Sequence, residues 1–346
     1  MSFIIQSMAK IRVGVLRGGP SSEYEVSLKT GENVLKFLPE KYEGRDILIT
    51  KDGKWHSDGI ERRPDKILRL VDVVFNALHG EFGENGKIQS MLEIHKIPFT
   101  GSDSFSSALG MNKFLAKQKF SEAGIKTPRG FVISKNDDLG AVAYRVFNNF
   151  SPPWVLKPLN KGSSVGVKIV DKFDDLKEKI LEVFSFGNLT ADTDIFGERI
   201  IGTAPKILFE EYIRGREATC GVLENFRRVK HYALPVVEII PPKTNTFFDY
   251  EAKYNGETRE ICPANFDLKT KRQIEEIAKK AHIVLGCRAY SRSDFIVSRR
   301  RIFLLETNNL PGLTSESLLP KSAAAIGLNF SDLLEHLIKS CLKTLA

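Results

Sequence analysis

The sequence predicts an α/β protein of two or three domains, and three observations carry that expectation. Residues 10–16 (KIRVGVL) are a short apolar strand that breaks into a glycine turn, 17–22, and a helical pattern from Glu23, which opens an α/β unit. Residues 154–158 (WVLKP) form an apolar strand leading into a Gly/Ser loop, 159–166, and a second strand to Val170. Residues 294–297 and 302–306 flank a basic turn, 298–301, and read as an antiparallel hairpin. At 346 residues the chain is long for one core. Hydrophobic residues at 42% and charged ones at 27% are globular usage, and no apolar run is long enough to span a bilayer.

The formal charge of +8 admits a polyanionic partner. Lys and Arg are spread along the chain, however, and no RRM, zinc-finger or helix-turn-helix signature is present, so a small polyanion explains the excess as well as nucleic acid does. Cys220, Cys262, Cys287 and Cys341 lack paired spacing, which points away from a zinc cage and a disulfide framework and towards reduced thiols in the cytosol. The first ten residues lack the basic and apolar regions of a signal peptide, and Met8 is an alternative start.

In chain order, the glycine turn at the carboxyl end of the first strand makes Glu23 a candidate for holding a cationic group, against the plainer role of complementing a helix dipole. A second strand is expected over 46–50 and a third over 71–78. The third ends in HGEFGENG (79–86), where glycines let the backbone approach a ligand and His79 becomes a site candidate. A helix over 88–95, an extended segment over 97–100 and a polar turn at 101–104 mark a first boundary. The helix from 111–113 to 123 carries Lys113, Lys117 and Lys119, expected mostly on a solvated face.

Lys157 stands where the strand alternation turns inward, immediately before Gly162, Ser163 and Ser164. Backbone N–H groups and the two hydroxyls can cradle phosphate oxygens there, with Lys157 as the point charge; a bare hairpin turn is the alternative. Residues 184–204 read as an extended connection or a surface insertion. Strands over 207–213 and 218–223 around a polar turn have the form of a nucleotide hinge in which Glu217 can bond ribose hydroxyls. A strand is expected over 232–240, a closing aromatic-basic loop over 247–254, and helices over 269–285 and 330–345.

The hairpin is the most informative stretch. Side chains alternate along a strand, so Glu306 and Asn308 share a face, and a loop of about three residues places Asp294 opposite Glu306 on that face. Three hard oxygen donors then converge, a set suited to Mg²⁺, although a solvated acidic strand face has the same pattern.

In this order the motifs GGPSSEYEVSLKTG (18–31), FNALHGEFGENGKIQSMLE (75–93), SALGMNK (107–113), VLKPLNKGSSVG (155–166), FEEYIRGRE (209–217), FDYEAKY (248–254) and SRSDFIV with LLETNNLPGLTSESLLP (291–297, 304–320) resemble the D-alanine:D-alanine ligases of the ATP-grasp superfamily. The resemblance runs from about Lys10 to the C-terminus. It implies an N-terminal parallel-sheet α/β domain (9–102), a small central α+β domain with the phosphate loop (103–208) and a C-terminal α+β domain with lid and metal hairpin (209–346). The implied activity is phosphorylation of one D-alanine carboxylate by ATP and attack on the acyl phosphate by the amine of a second D-alanine, for peptidoglycan synthesis. It also implies a cytoplasmic enzyme, a homodimer, and no nucleic-acid or membrane partner.

By the same resemblance, Lys113 and Lys157 hold ATP phosphates, Lys253 reaches the γ-phosphate, and Ser163 and Ser164 sit in the phosphate loop. Glu210 faces the adenine amino group, the backbone of Glu211 and Ile213 bonds the ring, and Glu217 bonds the ribose. Asp294, Glu306 and Asn308 bind two Mg²⁺, with Mn²⁺ as a substitute. Glu23 pairs with the ammonium of the first D-alanine and His79 lies near its carboxylate. Arg292 and the N–H of Gly312 form an oxyanion hole, and Ser317 and Leu318 grip the second D-alanine. Tyr254, bonded to Ser163 and Glu23, locks the lid and favours the dipeptide over a D-lactate product; D-serine remains an alternative acceptor, and a silent ATP-binding regulator a different class. Phe248, Ser293 and the pair Asn309-Leu310 depart from the family's usual residues.

Overall fold

The computed structural model describes residues 10–159, 162, 166–187, 205–241, 258–299 and 301–343. Three sheets organise them, each with its own apolar core. The first has strands β1 (Ile11–Gly18), β2 (Tyr42–Ile49), β3 (Trp55–Ser57), β4 (Ile60–Glu61) and β5 (Val73–Asn76) in the order β4-β3-β2-β1-β5. β1 runs parallel to both β2 and β5, and its centre is fully buried, as a strand covered on both faces must be. Helix α1 (Tyr24–Phe37) follows the glycine turn at the expected place.

The loop expected over 79–86 contains a one-turn helix, α3 (Glu81–Glu84), after the short α2 (Pro64–Leu68). α4 (Lys87–Ile94) is the expected helix, but the polar turn at 101–104 opens directly into a further one, α5 (Ser104–Met111). Asp103 caps α5 by accepting the N–H of Ser106 at 2.8 Å. Asn112 then ends α5 and caps α6 (Lys113–Glu122), accepting from Leu115 N–H.

The second sheet has the order β6-β9-β7-β8, all antiparallel: β6 (Gly130–Ser134), β7 (Trp154–Pro158), β8 (Lys168–Val170) and β9 (Lys206–Glu211). α7 (Leu139–Asn149) and α8 (Leu176–Gly187) belong to this unit, so the connection expected from 184 begins as helix. The boundary expected between 208 and 209 falls inside β9, whose Glu211 still pairs with Trp154. The chain leaves this sheet only afterwards.

The third sheet has the path β13-β12-β10-β14-β15 with β11 also on β10. Its strands are β10 (Arg216–Phe226), β11 (Val229–Ala233), β12 (Val237–Ile240), β13 (Arg259–Ile261), β14 (Tyr290–Val297) and β15 (Ile302–Asn308). The strand expected over 232–240 is broken in two around Pro235, which has no N–H to give the ladder. The long helix α9 (Leu268–Leu285) packs on this sheet and closes on Gly286 in the left-handed region at φ 69°. α10 (Leu318–Ala324) and α11 (Phe330–Lys343) are the last elements of the described residues, and Leu319, Leu333, Leu337 and Ile338 join the third sheet's core to that of β1 and β5. No helix among the described residues is long and apolar enough to cross a membrane.

Candidate active site

The hairpin pairs as parity requires. Asp294 lies opposite Glu306 and Arg292 opposite Asn308, so these four side chains share one face of the sheet. Val297 pairs with Ile302, so the turn holds four residues and not about three, and the bulge after Asp294, where Phe295 faces Leu304, absorbs Leu305 and brings Asp294 opposite Glu306. Arg292 donates from Nε and Nη2 to the two Asp294 oxygens at 2.9 and 2.8 Å, a bidentate fork. Burial works against the charged guanidinium, but Asp294, with Glu306 and Glu84 behind it, outweighs that and raises its pKa above the ordinary arginine value. Thr219 on β10, which sequence reasoning did not single out, donates from Oγ1 to Asp294 Oδ1 at 2.6 Å. Asn308 Oδ1 accepts the N–H of Leu310 at 2.8 Å, and Lys113 Nζ lies 3.9 Å from Glu306 Oε2. Two carboxylates and an amide on one rigid hairpin face are a donor set that fits Mg²⁺.

The first sheet supplies a second group. β1 and β5 are parallel neighbours, so the loops at their carboxyl ends meet at one edge. Ser21 ties them together: its Oγ donates to the His79 carbonyl at 2.7 Å and accepts the Glu23 N–H at 3.0 Å. Glu23 is only 7% exposed. A Cβ on Gly80, which has φ 72°, would lie 3.2 Å from Glu23 Oε2, and one on Gly162 at the start of the Gly/Ser loop would lie 3.1 Å from the same oxygen. His79 is buried with Nε2 2.9 Å from Thr30 Oγ1. Glu84, also missed in the sequence because its turn reads as loop, accepts the Gly80 N–H at 2.9 Å and stands 3.9 Å from His79 Nδ1. Across the gap, Ser317 Oγ accepts the Thr314 N–H at 3.0 Å, and a Cβ on Gly312 would meet that oxygen at 2.9 Å.

These groups line a cavity of about 160 Å³ that includes Glu23, His79, Arg292, Asn308, Gly312 and Ser317. A larger cavity of about 390 Å³ lies between the second and third sheets, lined among others by Lys157, Glu210, Ile213, Glu217, Asp294 and Glu306. Lys113, Arg292, Glu306 and Leu318 line both, so the two spaces meet at the hairpin.

The larger cavity carries a buried ionic group. Glu210, 1% exposed, pairs with Lys157 at 2.7 Å and with Lys117. Lys117 is therefore not on a solvated face: it is 8% exposed, and burial, with Lys157 nearby, pushes its pKa well below the ordinary lysine value. Lys113 and Lys117 are one helical turn apart on the side of α6 that faces Glu306 and Glu210, whereas Lys119 turns outward to Glu122 at 2.8 Å. The Glu211 carboxylate is held by Arg129, and its N–H donates to the Arg129 carbonyl at 2.9 Å, so a base would have to be met by the Glu211 carbonyl and the Ile213 N–H. Ser293, the departure beside Arg292, is fully buried and paired with Thr307 across the strands at 2.9 Å. Ser163, Ser164, Lys253, Tyr254 and the loop over 247–254 lie outside the described residues.

Comparison with known proteins matches residues 120–339 to the family model described as "D-ala D-ala ligase C-terminus" and residues 12–68 and 57–102 to "D-ala D-ala ligase N-terminus". A D-alanine–D-alanine ligase of Syntrophobacter fumaroxidans is 39% identical over 340 residues, covering 97% of this chain and 99% of the relative. One of Aquifex aeolicus is 38% identical over 331 residues, covering 95% and 100%. Among solved structures, the D-alanine–D-alanine ligase of Bacillus anthracis complexed with ATP superposes with a TM-score of 0.76 at 31% identity, covering 97% of this chain and 98% of that one. The VanG D-Ala:D-Ser ligase of Enterococcus faecalis superposes with a TM-score of 0.78 at 29% identity, covering 96% and 99%.

Proposed function

The chain belongs to the D-ala D-ala ligase family, and from that premise we infer that it is an ADP-forming ligase of the ATP-grasp fold that joins two D-alanines into D-alanyl-D-alanine for peptidoglycan synthesis. The observation that carries the reading is the meeting of the two cavities at Lys113, Arg292 and Glu306. One space suits a nucleotide and the other a small zwitterion, and the reacting carboxylate and phosphate come together at their junction.

A carboxylate is a poor electrophile, so the reaction first converts it to an acyl phosphate with ADP as the other product. The amine of the second D-alanine then attacks the carbonyl carbon, loses a proton, and phosphate departs. Glu23 receives the ammonium of the first D-alanine and His79 lies beside its carboxylate. Lys113 and Lys157, with Lys253 and the loop of Ser163 and Ser164, neutralise the phosphates. Glu210 faces the adenine amino group, Glu211 and Ile213 present backbone to the ring, and Glu217 meets the ribose. Arg292 and the Gly312 N–H stabilise the oxyanion as the carbonyl becomes tetrahedral. Ser317 and Leu318 hold the second D-alanine. Tyr254 closes the lid over Ser163 and Glu23, which excludes water from the acyl phosphate and favours an amine acceptor. Two Mg²⁺, or Mn²⁺, held by Asp294, Glu306 and Asn308 supply charge neutralisation at the phosphates. We further propose a homodimer acting in the cytoplasm, with sedimentation equilibrium as the check on the dimer.

The test is phosphate release from ATP and Mg²⁺ with D-alanine, L-alanine, D-lactate or D-serine added singly and as pairs with D-alanine. Release with D-alanine alone, with D-alanyl-D-alanine as product, is expected. Release only when D-serine accompanies D-alanine would replace the acceptor, and ATP binding without release under any pair would remove the ligase reading for the regulator.

A further inference from the structure

We propose that Glu224, His231 and His282 form a binding site for a divalent transition cation of the Zn²⁺ class, on the face of the third sheet away from the active site. Glu224 on β10 and His231 on β11 are direct cross-strand partners, and His282 comes from the last turn of α9, which packs on that hairpin. One carboxylate oxygen and one ring nitrogen from each histidine all lie within 4.8 Å of one another.

Two distances fit a metal shell. Glu224 Oε1 is 3.5 Å from His282 Nε2 and 3.7 Å from His231 Nε2. Ligand atoms about 2.0–2.1 Å from a tetrahedral Zn²⁺ stand roughly 3.3–3.4 Å apart, so small side-chain movements complete the shell.

The independent observation is His282. Its side chain is 0% exposed, and Nε2, directed at Glu224, makes no hydrogen bond. At 3.5 Å from Glu224 Oε1 this buried ring nitrogen is too far for a good hydrogen bond, and a cation between the two would satisfy it. The opposite nitrogen, Nδ1, is 2.8 Å from Ser291 Oγ; with Nδ1 as donor, the lone pair of Nε2 points into the cluster. Glu224 is oriented in the same way, since Oε2 accepts the Ala289 N–H at 2.8 Å and Oε1 turns to the histidines. The arrangement of ligands whose far atoms are held by other groups is that of a metal centre.

Two imidazoles and one carboxylate select Zn²⁺ and its neighbours over Mg²⁺, which takes oxygen ligands. Glu224 and His231 keep 22% and 18% exposure, which leaves an entry path and a fourth position for water. None of the three residues lines either active-site cavity. The bound cation would clip α9 to the β10–β11 hairpin, and its outer partner Ser291 immediately precedes Arg292 on β14, facing the other side of the sheet.

The test titrates the metal-free full-length protein with Zn²⁺ and then Co²⁺, under saturating Mg²⁺ to fill the oxygen site. One cation per chain is expected, raising the thermal midpoint, with the visible absorption of tetrahedral Co²⁺ and no sulfur-to-cobalt charge-transfer band. Glu224→Gln, which keeps volume and the bond to Ala289, and His231→Ala should each weaken binding more than about 100-fold, and Ser291→Ala about 10–100-fold. Absence of binding by the wild type, unchanged affinity in correctly folded Glu224→Gln and His231→Ala, or a sulfur band marking cysteine ligation would each overturn the site.

Discussion

Arg292, Asp294 and Thr219 show how a single charged side chain is aimed. Thr219 Oγ1 and the Arg292 fork together occupy the Asp294 carboxylate, so its orientation is set before any ligand arrives. Hydrogen bonds to charged groups contribute about 1.5–3 kcal/mol. With Asp294 as a proposed Mg²⁺ ligand, Thr219→Val should raise the Mg²⁺ concentration for half-maximal turnover about tenfold. An unchanged Mg²⁺ titration would deny the support. Glu306→Gln removes a proposed ligand and should lower turnover at least about 100-fold with an unchanged circular dichroism spectrum; wild-type turnover would remove Glu306 from the proposed metal set. The Lys117–Glu210–Lys157 group was only half legible. Inward alternation marks Lys157, but nothing in the composition of α6 separates Lys117 from Lys119, because which side of a lysine-rich helix faces a cleft depends on what packs against it.

At the scale of elements, strand parity made the shared face of Glu306 and Asn308 readable, but the turn holds four residues rather than about three, and the bulge after Asp294, which no loop-length rule anticipates, is what places Asp294 against Glu306. Two elements were not read so well. The expected strand over 232–240 ignored Pro235, whose missing N–H interrupts the edge of β10. α5 was not read at all: the expected turn at 101–104 stops at its first residue and the next helix was expected only from 111–113, although Asp103 is a capping residue in a favourable position. That cap anchors a helix whose last turn, Gly110 and Met111, lines the smaller cavity, and Asp103 also pairs with Arg288 at 2.7 Å. Asp103→Ala should cost about 1 kcal/mol of stability in urea unfolding. A loss of a few tenths or less would mean that tertiary packing alone holds α5 in place.

For the whole molecule, the larger cavity lies between two sheets that the chain joins at 212–215, so a ligand there bridges two cores. Mg·ATP at about 100 times its Kd should stabilise the protein by about 2.7 kcal/mol, and Lys157→Ala should remove most of that gain. A thermal scan with and without Mg·ATP checks both: no shift in the wild type would mean that Mg·ATP does not bind, and a full shift in Lys157→Ala would place the nucleotide elsewhere. The sequence by itself determined the α/β class, the glycine turn before Glu23, the inward Lys157 and the oxygen-bearing hairpin, because each follows from periodicity and turn chemistry within about fifteen neighbouring residues. Only the tertiary structure decided that Glu84 reaches His79, that Thr219 holds Asp294, that Lys117 is buried on Glu210, and that Glu224, His231 and His282 converge. Those pairings join residues on separate elements, and their geometry comes from how sheets and helices pack, which no local pattern encodes.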